Sequence, residues 1–187
     1  MLDPRAGFEK PRPEALEAIG PRALLAAPKT ALFCSARVPG ALILDAHDQA
    51  VRWREEGRCI IGGFHSPLEK ECLRVLLRGK QPIIVCPARS LDGMRMPADW
   101  KQPLADGRFL LLSPFESCHR RATAALAEQR NELVAALAYD VFIAHASPGG
   151  KLEAFCQKLI RQGKPLITFD HPENARLLAL GARPHTL

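Results

Sequence analysis

From residue 31 onward the chain alternates short, wholly apolar runs with longer stretches whose apolar residues recur at helical spacing. Ala31 to Cys34 reads as a buried strand, followed by a turn from Ser35 to Gly40. Ala41 to Glu56 reads as a helix with Leu42, Ala46, Ala50 and Trp53 near one face, ended by Gly57. Arg58 to Ile61 is a short strand running into Gly62 and Gly63. Pro67 to Leu77 is a second helix with Leu68, Cys72, Val75 and Leu76 as its stripe, stopped by Gly79. Pro82 to Cys86 is a third strand, apolar throughout, as a sheet covered on both faces requires. Residues 88–107 break the rhythm and read as a loop with a small helical turn. Strands at Phe109 to Leu112, Asp140 to Ala144 and Leu166 to Phe169 then alternate with helices at Arg121 to Leu137, Lys151 to Arg161 and Pro172 to Leu180.

Such alternation is the signature of a mostly parallel sheet with right-handed crossovers. A closed eightfold barrel needs roughly 250 residues, and this chain has 187. The expected fold is therefore α/β: an open, doubly wound, Rossmann-like sheet in three α/β/α layers. The first thirty residues read instead as a Pro-punctuated arm. Glu14 to Ile19 and Arg22 to Ala27 form its expected short helices, closed by Pro21 and Pro28. The expected division is an arm over 1–30 and a ligand-binding domain over 31–187.

Composition narrows the class. Hydrophobic residues make up 47% and charged residues 25%, which marks a globular chain. No apolar run is long enough for a bilayer, and Met1 to Glu17 lacks the apolar segment of a secretory signal. No membrane association and cytoplasmic residence are expected. The net charge of +6 permits an anionic partner, and its distribution is uneven. His119, Arg120, Arg121 and Arg130 crowd one segment, and Arg74, Arg78 and Lys80 another. Cys34, Cys59, Cys72, Cys86, Cys118 and Cys156 form no CxxC pair, so they read as core thiols, with no metal site and no cofactor expected.

Open parallel sheets bind ligands beyond the carboxyl ends of their strands. Loops leaving strands in that direction hold the candidate residues. In the first, Ser35 offers a hydroxyl and Arg37 a fork suited to phosphate, or else an ordinary surface arginine. In the second, Gly62 and Gly63 allow close backbone approach, followed by Phe64 and His65, either of which could stack on a base. Ser66 caps the next helix, Pro67 suits its first position, and Glu69 completes a capping box. The third contributes Arg89. In the fourth, Gly149 and Gly150 open a helix whose amides face an anion, and Lys151 adds a point charge. Glu153 lies in that helix's first turn. Neither the GxGxxG fingerprint nor a P-loop is present, which disfavours a nicotinamide-dependent oxidoreductase. On the Ala-rich helix, Arg120, Arg121, Arg130 and Asn131 present a positive edge, or else a solvated face balanced by Glu128 and Glu132.

Five of these features, between about Leu32 and Gly181, resemble the core of the DNA-processing protein DprA/Smf family. Ser35 and Arg37 resemble its Gly-Ser-Arg turn, with Ala36 inserted, and Gly62-Gly63-Phe64 its Gly-Gly-Ala. Leu110 to Pro114 resembles its Leu-Leu-Ser-Glu-x-Pro region. Arg130-Asn131 resembles its Arg-Asn, and Val141 to Ala146 its Val-Val-Val-Glu-Ala strand end. Leu68 and Cys72 replace the family's Asp and His, and its strand-end Glu is replaced near His145. No C-terminal winged-helix domain is expected. The resemblance implies a divergent relative within the wider SLOG/LOG-like nucleotide-handling group. It further implies a basic pocket for single-stranded DNA and a homodimer.

Pro148-Gly149-Gly150 also resembles the PGGxGTxxE motif of the LOG phosphoribohydrolases, but Lys151 follows Gly150 at once, the Gly-Thr step is absent and Glu153 comes too early for the motif's Glu. The leading expectation is a binding domain for single-stranded DNA or a nucleotide, with no catalytic residue. A nucleoside-monophosphate phosphoribohydrolase would use Arg130 and Glu153. The remaining alternative is a protein-interaction domain with a vestigial pocket.

Overall fold

The computed structural model describes residues 16–187. Eight strands form one sheet: β1 (Glu17–Ile19), β2 (Lys29–Cys34), β3 (Cys59–Gly62), β4 (Ile83–Val85), β5 (Phe109–Ser113), β6 (Asp140–His145), β7 (Leu166–Phe169) and β8 (Arg183–His185). Their spatial order is β1-β5-β4-β3-β2-β6-β7-β8, and only β1 runs antiparallel, against β5. The helices are α1 (Gly40–Glu55), α2 (Pro67–Leu77), α3 (Ala98–Ala105), α4 (Ala124–Leu137), α5 (Lys151–Arg161) and α6 (Ala175–Ala179).

Strand alternation divides the core between the two faces of the sheet. Leu32, Ile60, Ile83 and Phe109 point to one side, where Leu42 and Trp53 of α1 and Leu68 and Leu76 of α2 cover them. Ala31, Phe33, Ile61 and Ile84 point to the other, against Val134 of α4, Cys156 of α5 and Leu177 of α6. The result is the expected three-layer, Rossmann-like arrangement. From β2 the chain winds outward through β3, β4 and β5, then returns through α4 to place β6 on β2's free side. The topological switch point lies between β2 and β6, where a doubly wound sheet opens its ligand crevice.

Several elements differ from the sequence pattern. Glu17–Ile19 is a strand where a helix was expected, while residues 14 and 15 lie outside the described part. Pairing with β5 covers a sheet edge that would otherwise be open, and the Glu17 carboxylate accepts from Leu91 N (2.8 Å) and Ser90 Oγ (3.1 Å). The second expected arm helix is a 3₁₀ turn, Arg22–Leu25. The loop expected over 88–107 contains α3, whose Trp100 ring packs 5.2 Å from that of Phe109. α4 begins at Ala124 rather than Arg121, because Thr123 Oγ1 caps it by accepting from Leu126 N. β8, with Pro184 on an outer strand, carries no apolar alternation to announce it.

Candidate functional site

The end of β3 makes the tightest corner. Ser66 caps α2, its Oγ accepting from Glu69 N at 3.3 Å, as the sequence suggested. The Glu69 carboxylate does not close the expected capping box, since among the described residues it accepts from neither Ser66 N nor any amide of α2. It accepts from His65 N and from Cys34 N, each at 2.8 Å, and so ties the β2 and β3 loops together. Between Gly63 and His65, Phe64 adopts φ 47, the one left-handed non-glycine among the described residues. That conformation is costly for a bulky residue and clusters at functional sites. The Phe64 ring is buried among Leu32, Leu68 and their neighbours, so in this conformation it is not free to stack on a ligand. His65 is exposed.

Arg130, on α4, closes this corner from the other face of the sheet. It is 5% exposed. Nη1 donates to Cys86 O at the end of β4 (3.0 Å), and Nε donates to Asn131 Oδ1 (2.8 Å). Nη2 has no hydrogen-bond partner among the described residues. A Cβ on Gly63 would lie 1.4 Å from Nη1, so only glycine leaves room for the guanidinium there. Burial pulls the Arg130 pKa down, and the field of Glu69 opposes it. No carboxylate lies within ion-pair distance among the described residues. The positive charge is therefore enclosed without a direct counter-ion.

The second corner lies across the switch point. Ser35 N donates to His145 O (2.9 Å), and Ser35 Oγ accepts from Ser147 N (2.9 Å), which joins the β2 and β6 loops. Gly149, at φ 69, donates its N–H to Glu153 Oε2 (2.7 Å), and Gly150 donates to Ser147 O (3.0 Å). Both amides are thus used within the loop. The donors left for a ligand are those of the first helical turn, from Lys151 onward. The Lys151 side chain is exposed and paired with Glu128 (2.7 Å). Glu153 is buried and held by Arg176 through Nε (2.7 Å) and Nη2 (3.2 Å). These Arg176 bonds, with the Gly149 amide, hold its carboxyl below the usual range.

Arg37 is exposed on the β2 loop, with no hydrogen bond or ion pair among the described residues. Arg89 is folded onto its own loop, Nε donating to Ser90 O (3.1 Å) and Nη2 to Asp92 O (3.3 Å). The structure therefore brings Gly62, Gly63, Ser66, Arg130 and Asn131 together at one corner, and Ser35, Gly149, Gly150 and Lys151 at another. β3 and β6 flank β2, so about 10 Å separates the two strand ends.

Sequence reasoning missed the pair His145 and Asn174. His145 Nδ1 lies 3.0 Å from Asn174 Oδ1, and Asn174 Nδ2 donates to Ala144 O (3.0 Å). With the amide fixed in that sense, the imidazole carries its proton on Nδ1. Both side chains are buried at the switch point, and only the replaced strand-end Glu hinted at the position. Of the cysteines only Cys118 is exposed. Burial pushes Cys59 up to about 11 and Cys72, Cys86 and Cys156 up to about 12. Cys34 is also raised by burial, with Glu69 adding to it, so it is no thiolate nucleophile. Among the described residues no group of His, Cys, Asp or Glu is placed to hold a metal, and no helix is long and apolar enough to cross a membrane.

Fold and crevice together define an open, doubly wound α/β domain with its candidate site at the strand-end switch point. No protein-family model and no curated protein matches the chain. Solved structures do share the fold. DNA processing protein A from Helicobacter pylori, described for its single-stranded DNA binding mode, superposes with a TM-score of 0.76 at 22% identity. That match covers 95% of this chain and 86% of the other. DNA processing protein A (DprA) from Streptococcus pneumoniae gives a TM-score of 0.75 at 18% identity over 91% of this chain. The chain spans 62% of that protein's length. The molybdenum cofactor carrier protein of Chlamydomonas reinhardtii is similar at TM-score 0.58 and 12% identity, covering 86% of this chain and 91% of the other.

Proposed function

We propose that the chain is a binding domain for a phosphate-rich ligand, single-stranded DNA or a nucleotide, held at the carboxyl ends of its strands. The observation that carries this reading is the Arg130 guanidinium. It is enclosed without a carboxylate within ion-pair distance and packed on a glycine, with Nη2 unbonded. A buried charge in that state favours an anion. The location supports the same reading, since Arg37 leaves β2 at the switch point where this fold class takes ligands, and Arg130 sits at the neighbouring ends of β3 and β4. Likeness in fold to the Helicobacter pylori protein described for single-stranded DNA binding supports it as well. Binding rather than hydrolysis fits Glu153 better. Its oxygens are taken by Arg176 and Gly149 N, which leaves no free carboxylate to act as a base.

The test is a titration of short single-stranded DNA and of nucleoside monophosphates at two salt concentrations, with Arg37→Ala and Arg130→Ala alongside the parent. Each substitution weakens binding. Single-stranded DNA shows a slope of log K on log salt of about −0.7 per phosphate contacted, and a mononucleotide a shallow one. Unchanged affinity in both variants removes the cleft, and absence of any nucleotide affinity favours a protein-interaction domain instead.

A further inference from the structure

We propose that the chain carries a second binding site, at the amino edge of the sheet, and that this site takes a free α-amino acid. The proposal goes beyond the strand-end reading and does not depend on it. An open cavity of about 500 Å³ lies at the amino ends of β2, β3 and β6, beside the start of β4 and the end of α1. β2 is six residues long, so this edge lies about 17 Å from the strand-end crevice. Asp140 lines the cavity at only 9% exposure, and its Oδ1 has no hydrogen-bond partner. Its other oxygen, Oδ2, lies 3.7 Å from Arg58 Nη1, too far for a hydrogen bond. Arg58 Nη1 donates instead to Thr30 Oγ1 at 2.8 Å. Arg58 Nε lies 3.8 Å from Glu56 Oε2, and Nη2 bonds to nothing among the described residues. A buried carboxylate and a half-exposed guanidinium therefore sit side by side, each with hydrogen-bonding capacity unmet.

The lining also sets the charge of the ligand. Among the described residues Lys29 and Arg58 are balanced by Glu56 and Asp140, so neither a bare anion nor a bare cation is favoured. Lys29 is buried, its Nζ donating to Leu25 O (2.9 Å) and Ala27 O (2.5 Å), whereas the Arg58 side chain is 44% exposed. Arg58 is thus the cation within a ligand's reach. The end of α1 adds the partial negative charge of its last carbonyls, which favours an ammonium group. An α-amino acid carries both required groups on one carbon. Its ammonium nitrogen and carboxylate carbon are about 2.5 Å apart, which suits protein groups set 3.7 Å apart. The ammonium donates to Asp140, whose carboxylate turns about a broad two-fold χ2 and so can present either oxygen. The ligand carboxylate takes the remaining Arg58 N–H groups. Pro28, Pro82 and Tyr139 offer apolar surface for the ligand's side chain. A nucleic-acid phosphate would meet two carboxylates here, which separates this edge from the strand-end site.

The experiment melts the full chain with each standard L-amino acid in turn and reads the affinity of those that act by isothermal titration calorimetry. At least one raises the melting temperature, by roughly 5–10 °C at about one hundred times its Kd. For that amino acid, the matching amine without the carboxylate and the matching acid without the amine each bind about tenfold more weakly or worse. Asp140→Asn removes a buried charge that lacks a donor, so the unliganded variant melts no lower than the parent, while its affinity falls by about tenfold or more. Arg58→Lys keeps the charge but loses the planar fork, and weakens binding by about tenfold. It carries the test alone if Asp140→Asn does not fold. Absence of a melting shift with every amino acid overturns the proposal. An amine or an acid that binds as well as the whole amino acid overturns it in favour of a simple cation or anion. Parental affinity in either variant overturns it as well, and makes the Asp140–Arg58 pair purely structural. The strand-end reading stands or falls separately, on its own titration.

Discussion

A methyl group at Gly63 would lie 1.4 Å from the Arg130 guanidinium, the movable end of its side chain, which must swing away and give up its bond to Cys86 O. Gly63→Ala should therefore displace the guanidinium and weaken ligand binding about as much as Arg130→Ala. The double variant should be no worse than either single one, and a double-mutant cycle on affinity reads this non-additivity. Arg130→Ala also strips Cys86 O of its donor, at a cost to stability of about 1–3 kcal/mol. At Phe64 two terms oppose. Phe64→Gly relieves roughly 1–2 kcal/mol of left-handed strain but forfeits about 3–5 kcal/mol of buried ring. Net destabilisation of about 2 kcal/mol should appear as a lower urea midpoint. At this scale the sequence was legible where local chemistry is explicit: the Ser66 cap and Pro67 at the first helical position both read correctly, whereas the Gly149 and Gly150 amides, expected to face an anion, are used within their own loop. Contacts between residues far apart were not legible. Glu69 bridges to Cys34 across 35 positions and Arg130 to Cys86 across 44, and neither partner is signalled by spacing.

α5 shows how an element can carry a motif for a structural reason. Glu153 sits in its first turn, receives the Gly149 amide and binds Arg176, so it fixes the β6 loop to the start of α6. Its carboxyl lies below the ordinary 4.5 in the folded protein. The stabilisation it gives is therefore complete above about pH 4.5 and is lost as pH falls through the lower, folded value. Glu153→Gln should lower stability at neutral pH and flatten the acid limb of a stability–pH profile, while leaving oligonucleotide affinity largely in place. Loss of binding without loss of stability would instead make Glu153 a ligand group. Between helices, Glu128 and Glu132 pair with Lys151 and Lys158 of α5, not with neighbours on α4 as periodicity suggested, because the two helices pack side by side. The strand–helix alternation was readable since strands covered on both faces must be apolar throughout. β1, β8 and α3 were hidden by brevity and by proline punctuation.

Across the whole molecule, one topological fact organises the site: β6 returns to the free side of β2, so loops from both halves of the sheet meet at one edge. Helical and strand periods predict the layers but not which strand ends are neighbours, so the meeting of Ser35 with Ser147 emerged only in three dimensions. The net charge of +6 adds a long-range attraction for anions, which predicts that association slows as salt rises even where the final contacts survive. The central claim is a place: an anion at the strand ends, beside Arg130. A crystal structure with a bound oligothymidylate tests it most directly. The account predicts a phosphate oxygen within hydrogen-bond reach of Arg130 Nη2, about 2.7–3.2 Å, with further phosphates over the β2 and β6 loops. An oligonucleotide lying on another face, with the Gly63–Arg130 corner unchanged and empty, would contradict it.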